Sequence, residues 1–181
     1  MGNNKVAILI PTKNRSRKLI ELLNYYAEIE SHHKIYIGDA SDKDHLDKTI
    51  PAIESIKSKI NIVFKTYPEY GRALTDNART VAKMLDLVDE DYVVGSGDDD
   101  YFLPKSLDKC VNYLVNNPNY SSVHGYGFVV PHTSPLDYVS GKGLLLGYRG
   151  WVFEPYTGGG SGSAANNSGF IKSARSSDGI I

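Results

Sequence analysis

Apolar positions along the chain follow two different periods. Lys5 to Ile10 is a short, nearly continuous apolar run closed by Pro11, which predicts a strand covered on both faces, as in a parallel sheet. From Ser16 to Glu30 the spacing becomes helical. Leu19, Ile20, Leu22, Leu23, Tyr26 and Ala27 share a face there, and Ser16 stands where a capping hydroxyl belongs. Lys34 to Gly38 predicts a second strand, running into Asp39-Ala40-Ser41-Asp42. Leu46 to Lys57 predicts a weaker helix, with Pro51 limiting its length or sitting in its first turn. Ile60 to Thr66 predicts a third strand around Ile62-Val63-Phe64. Leu74 to Val88 predicts a helix with Val81, Met84, Leu85 and Val88 on one side. Tyr92 to Val94 predicts a fourth strand, stopped by Gly95-Ser96-Gly97 and three aspartates. Pro104 to Asn117 predicts a helix, and Ser121 to Val130 a fifth strand.

Strands alternating with helices mean βαβ units, so the fold class is α/β: a Rossmann-like, mostly parallel sheet flanked by helices. Right-handed crossovers put the C-terminal strand ends on one edge, where open α/β sheets bind ligands. The loops at residues 11–15, 39–42 and 95–100 are therefore expected to gather. After Pro131 the pattern fades into Gly, Pro and aromatic residues. Residues 157–169 are Gly/Ser-rich, which is linker-like composition, whether natural or engineered. The organisation expected is a core over 1–130 and an abbreviated second region over 131–181, within which Phe170-Ile171 reads as one short returning strand.

Composition narrows the chemistry. A net charge of −1 excludes a bulk polycation, so nucleic acid is not an expected partner and any phosphate must be held locally. One cysteine, Cys110, excludes an internal disulfide, and its helical setting predicts a buried, inert thiol. No signal peptide is evident, and no stretch reaches the roughly 20 apolar residues of a membrane span. Thirteen tyrosines serve either the core or as stacking platforms. His32 and His33 are adjacent and would diverge on a helix, so they are weak ligand candidates.

Three groups of residues carry candidate chemistry. Asp98, Asp99 and Asp100 repel one another unless a cation or many donors compensate, and oxygen ligands in a loop suit Mg²⁺ or Mn²⁺. The plainer reading is a solvated acidic turn. Pro11-Thr12-Lys13-Asn14-Arg15 offers backbone donors, a hydroxyl, an amide and a guanidinium, which suit a nucleotide but also suit any polar strand-to-helix loop. Asp39 can accept from a base N–H or ribose hydroxyl, or form an Asx turn. Arg72 and Arg79 lie near the start of the third helix, where one can reach a phosphate. No G-x-G-x-x-G follows the first strand and no P-loop occurs, so dinucleotide and P-loop readings weaken.

Taken in order, Val6 to Arg15, Ile37 to Asp42, and Gly97-Asp98-Asp99-Asp100-Tyr101-Phe102-Leu103-Pro104 resemble the family 2 type of GT-A glycosyltransferase, over roughly residues 5–130. The acidic block followed by Tyr-x-x-Pro is the most specific part. The resemblance implies nucleotide contacts for Pro11, Thr12, Asn14, Arg15, Asp39, Arg72 and Asp98. It implies a Mn²⁺ or Mg²⁺ site at Asp99, with Asp98 and Asp100 beside it. Many relatives read Asp-x-Asp-Asp here, and alignment on Tyr101 and Pro104 places Gly97 at the first aspartate. Inverting members take a general base from a downstream acceptor half. After Asp108 the only acids are Asp137, Glu154 and Asp178, of which Glu154 is the nominal choice, and that half looks shortened.

The function expected is metal-dependent, inverting transfer of a sugar from a UDP-, GDP- or dTDP-sugar to a hydroxyl of a glycan or lipid-linked acceptor, in cell-surface polysaccharide synthesis. The expected location is the cytoplasm, with peripheral attachment to the inner membrane face as a variant. Two other readings compete: a nucleotide- and metal-binding module without transfer activity, and a nucleotidyltransferase. The last would require a glycine-rich loop after the first strand, which residues 11–15 lack.

Overall fold

The computed structural model describes residues 5–70, 75–125 and, as backbone, 170–173. The chain divides into two units, Met1–His124 with Gly169–Ile181, and Gly125–Ser168. The first unit carries the sheet and its helices. Its elements run β1 (Val6–Thr12), α1 (Ser16–Glu28), β2 (Lys34–Asp39), α2 (Lys43–Ile56), β3 (Ile62–Thr66), α3 (Asp76–Leu85), β4 (Tyr92–Gly95), α4 (Pro104–Asn116), β5 (Ser122–His124) and β6 (Phe170–Ser173).

The strands form one sheet in the order β3-β2-β1-β4-β6-β5. β1 to β4 are mutually parallel, whereas β6 runs antiparallel to both neighbours. The returning strand suggested by Phe170-Ile171 is thus β6, which joins β4 to β5.

β1 lies at the centre and is covered on both faces, which explains its unbroken apolar run. Val6, Ile8 and Ile10 pack with Leu19, Leu22 and Leu23 of α1, Ile53 of α2 and Leu107 and Val111 of α4. Ala7 and Leu9 face the other way, with Tyr36 and Met84, against α3. Tyr26 and Tyr36 are core residues, which settles part of the tyrosine question. Cys110 is partly buried against the first cluster, and burial pushes its thiol pKa up. Gly38 on β2 admits α3 at close range: a Cβ there would meet Thr80 Cγ2 at 2.5 Å and Met84 Sδ at 2.6 Å.

Three local expectations are corrected. Pro11 does not end β1; the strand continues to Thr12. Leu9 O accepts from Ser96 and Thr12 O from Ala40, so Pro11 is directed toward β4. The β4 ladder has already ended at Leu9–Gly95, and the absent N–H goes unmissed. Pro51 lies inside α2, on its exposed side, where water can satisfy the carbonyl left without a donor. Ser16 is the first residue of α1 rather than its cap, and its hydroxyl pairs with His45 Nδ1 at 3.0 Å.

Candidate nucleotide and metal site

From β1 the chain steps outward to β2 and β3, then returns to β4 on β1's other side. The strand order therefore reverses between β1 and β4, and the crevice beyond those two ends is where such sheets place ligands. Two of the expected loops close on this crevice directly. Thr12 donates its hydroxyl to Asp98 Oδ2 at 2.7 Å. Arg15 places Nη2 2.5 Å from Asp99 Oδ2 and Nη1 3.1 Å from Asp98 Oδ1. The second contact is misaligned for a hydrogen bond, and Asp98 Oδ1 is a buried oxygen without a hydrogen-bond partner.

The third loop joins through Asn14. Its backbone has φ 54°, a left-handed conformation that asparagine tolerates. Its N–H donates to Ser41 Oγ at 2.7 Å, its side-chain amide donates to Asp42 Oδ2 at 2.7 Å, and its side-chain oxygen accepts from the Asp42 N–H at 2.8 Å. Asn14 is thus engaged in tying the β1 and β2 loops together. Asp39, 1% exposed, accepts the Ser41 N–H at Oδ1, 2.8 Å away, and its Oδ2 is a second buried oxygen with no partner. Burial raises the pKa of Asp39 above its ordinary 3.8, with the Ser41 hydrogen bonds opposing the rise. Beside it, the Tyr67 N–H donates to Asp39 O, and Tyr67 stacks on Tyr70 with ring planes 14° apart.

The three acids do not converge on a single point. Asp98 is 4% exposed, and burial raises its pKa, with Thr12 and Arg15 opposing and Asp99 adding. Asp99 is half-exposed and faces Arg15. Asp100 folds back so that Oδ2 accepts the Gly97 N–H at 3.1 Å; burial raises its pKa too, and repulsion from Asp99 and Asp98 adds to the rise. A Cβ at Gly97 would stand 2.6 Å from Asp100 Oδ2, so a larger residue there would displace the carboxylate from this turn. The residues fit a divalent cation in donor type and in carrying an orphaned buried carboxylate oxygen, with Asp98 and Asp99 the pair facing a common point.

Among the described residues, the group whose ligand atoms do converge is His32, His33 and Asp108, within 4.8 Å of one another. His33 is fully buried, and burial pushes its pKa below 6.5. The Val6 N–H donates to its Nδ1 at 3.1 Å, so the neutral ring carries its proton on Nε2, facing Pro104 O at 3.3 Å and Asp108 Oδ1 at 3.4 Å. A metal at Nε2 would have to displace that proton, so this histidine is a structural clasp between β1 and α4. Arg79 sits on α3 with Nη1 3.4 Å from Asp76. Arg72, Asp137, Glu154 and Asp178 lie outside the described residues.

Ser41, Asp42 and His45 complete the loops without a site role read from the sequence, and Ser16, read there as a cap, joins them through His45. Their only local signal is a serine and an aspartate following Asp39; their partners lie 27 to 29 residues away. A shallow groove of about 530 Å³ borders this side, lined in part by Arg15, Ser16, His45 and Lys48. No helix among the described residues is long and apolar enough to cross a membrane.

The parallel strands reversing at β1/β4 agree with the GT-A fold that the sequence resemblance implied. No family model matches the sequence, and no curated protein sequence matches it either. Solved structures do. Residues 1–349 of S. aureus TarS are 18% identical with a TM-score of 0.57, the match covering 72% of this chain and 38% of that one. TarS has also been solved in complex with UDP-GlcNAc. The mannosyltransferase PcManGT from Pyrobaculum calidifontis, solved with GDP-Man and Mn²⁺, is 17% identical with a TM-score of 0.54, covering 75% of this chain and 37% of that one. Mannosyl-3-phosphoglycerate synthase from Rubrobacter xylanophilus is 14% identical with a TM-score of 0.53, covering 94% and 53%. The matched part thus spans under two fifths of the TarS and PcManGT chains and about half of the synthase.

Proposed function

We propose that the chain is the donor-binding core of a family 2 type glycosyltransferase, metal-dependent and inverting, acting in cell-surface polysaccharide synthesis. One observation carries this reading: two buried carboxylate oxygens, Asp98 Oδ1 and Asp39 Oδ2, lack a hydrogen-bond donor at the edge where such sheets take ligands, Asp98 Oδ1 having only its ion-pair contact with Arg15. An orphaned buried acceptor costs about 1–3 kcal/mol, which a ligand that satisfies it returns. Asp39 Oδ2 suits an N–H of the base or a ribose hydroxyl. Asp98 and Asp99 suit a Mn²⁺ or Mg²⁺ ion, with Asp100 bracing the turn that carries them. When bound, that ion supplies Lewis-acid stabilisation of a departing diphosphate. Thr12 orients Asp98, and Pro11 and Asn14 shape the loop that Arg15 leaves from. Arg15 is within reach of diphosphate oxygens, and Arg72 is kept as a further phosphate contact. The donor is a UDP-, GDP- or dTDP-sugar, and the acceptor a hydroxyl of a glycan or lipid-linked sugar. Its proton would pass to a carboxylate in the acceptor half, for which Glu154 is the nominal choice. Work at the inner face of the membrane fits a lipid-linked acceptor.

The test is donor hydrolysis and transfer by the full chain and by Asp99→Asn. Loss of a charge that acts on the leaving group is expected to lower the rate by about 10²–10³-fold. An unchanged rate with the metal still bound contradicts the assignment. The competing reading, a nucleotide- and metal-binding module without transfer activity, is motivated by the Gly/Ser-rich composition of residues 157–169, in the region where an acceptor half is expected. Calorimetry with UDP, GDP and dTDP plus Mn²⁺, run beside the hydrolysis assay, separates the two: binding without turnover of any donor favours the module.

A further inference from the structure

The acid pair already holds a cation of its own. The Arg15 guanidinium lies between Asp98 and Asp99, 3.1 Å from one and 2.5 Å from the other, which is where a divalent ion shared by the two would sit. The partners differ in freedom. Asp98 is buried and held by the Thr12 hydroxyl at 2.7 Å. Arg15 is 48% exposed and borders the open groove beside α1, so it can leave without repacking the core. The bond to Asp98 is also misaligned, leaving Oδ1 unsatisfied. Arg15 is therefore a serviceable but replaceable counter-ion.

We infer that Arg15 is a latch on the metal position: it neutralises the acid pair in the free protein and is exchanged for the divalent cation as the nucleotide binds. This rests on reading Asp98 and Asp99 as the cation site. Two cations cannot share the space between the carboxylates, so metal and guanidinium exclude each other there. Once released, the guanidinium stays tethered one residue beyond Asn14, beside the crevice, where its planar fork matches two phosphate oxygens. A nucleoside diphosphate thus gives Arg15 a second anionic partner and draws it off the acids. Cation and diphosphate each raise the other's affinity by the same factor, as linkage requires. Arg15 adds to the coupling that direct contact between metal and diphosphate supplies, and the protein avoids loading metal without substrate.

Electron paramagnetic resonance of free Mn²⁺ measures this on the full chain, with and without UDP or GDP, without relying on turnover. Arg15→Ala is expected to bind Mn²⁺ alone at least about tenfold more tightly than the wild type, and to show a smaller mutual enhancement between Mn²⁺ and nucleotide, the part due to direct metal–diphosphate contact remaining. Arg15→Gln, which keeps a polar side chain of similar reach, is expected to shift the same way and decides the matter if the alanine variant does not fold. Asp98→Asn is expected to abolish Mn²⁺ binding in either background. Equal or weaker Mn²⁺ affinity in the arginine variants, with Asp98→Asn still abolishing binding, overturns the latch and leaves the metal site standing. No Mn²⁺ bound by any form, even with nucleotide, overturns both.

Discussion

Asp39 is buried to 1% with one oxygen that no group in the described protein satisfies. Desolvation raises its pKa, so in the window just above 3.8 the folded state holds a proton more tightly than the unfolded chain. Its contribution to stability therefore falls as pH rises through that window and recovers as pH falls, the opposite of a salt-bridged aspartate. Asp39→Asn removes this term. Melting curves of the ligand-free protein from neutral pH down to about pH 4 are expected to show the wild type gaining on the variant toward the acid end. Nucleotide binding should weaken by about 10–100-fold in the variant, the worth of a hydrogen bond to a charged acceptor. A pH-independent difference in melting together with unchanged affinity contradicts the assignment. Asp98 at 4% exposure and Asp39 were both legible as candidates in the sequence. What the sequence hid was how neighbouring polar residues are used. Thr12 and Asn14 read as ligand contacts, yet their side chains are engaged by Asp98 and Asp42, 86 and 28 residues away.

At the scale of elements, the periodicities located β1 to β4 and all four helices, because each buries a face whose spacing is set locally. Their ends were harder, since ends depend on what stands opposite. Pro11 looks like a terminator until β4 is seen to stop at Gly95, leaving Pro11 no acceptor to serve. Ser16 looks like a cap until His45 takes its hydroxyl. Gly38 illustrates the same point in packing: nothing nearby in the sequence says that Thr80 and Met84 will press on it. Gly38→Ala is expected to destabilise the fold by about 1–3 kcal/mol through overpacking. In a Thr80→Ser, Met84→Ala background the same change should cost clearly less, because the atoms that the methyl group would meet are then gone. Urea titrations of the four proteins measure this, and full additivity would contradict the close approach of α3 to β2.

For the molecule as a whole, function follows from one topological fact. The order β3-β2-β1-β4 puts the first and fourth strand ends side by side, although the residues that meet there, Arg15 and Asp98, are far apart in sequence. The sheet edge was predictable from alternating strands and helices. The return of β6 between β4 and β5 was visible only as a short apolar pair, because its pairing depends on strands more than 45 residues upstream. Charge makes two places competitors for a divalent ion: the Asp98–Asp99 pair at the reversal, and the compact His32–His33–Asp108 group at which His33 keeps a proton. The direct measurement is a crystal of the full chain soaked with Mn²⁺ and a nucleoside diphosphate, with anomalous data collected at the manganese edge. A manganese peak bonded to Asp98 and Asp99 and to the diphosphate is expected, with Arg15 swung off the acids. A peak at the histidines instead, or a bound nucleotide with no manganese between those two aspartates, would contradict the assignment of the reversal as the cation site.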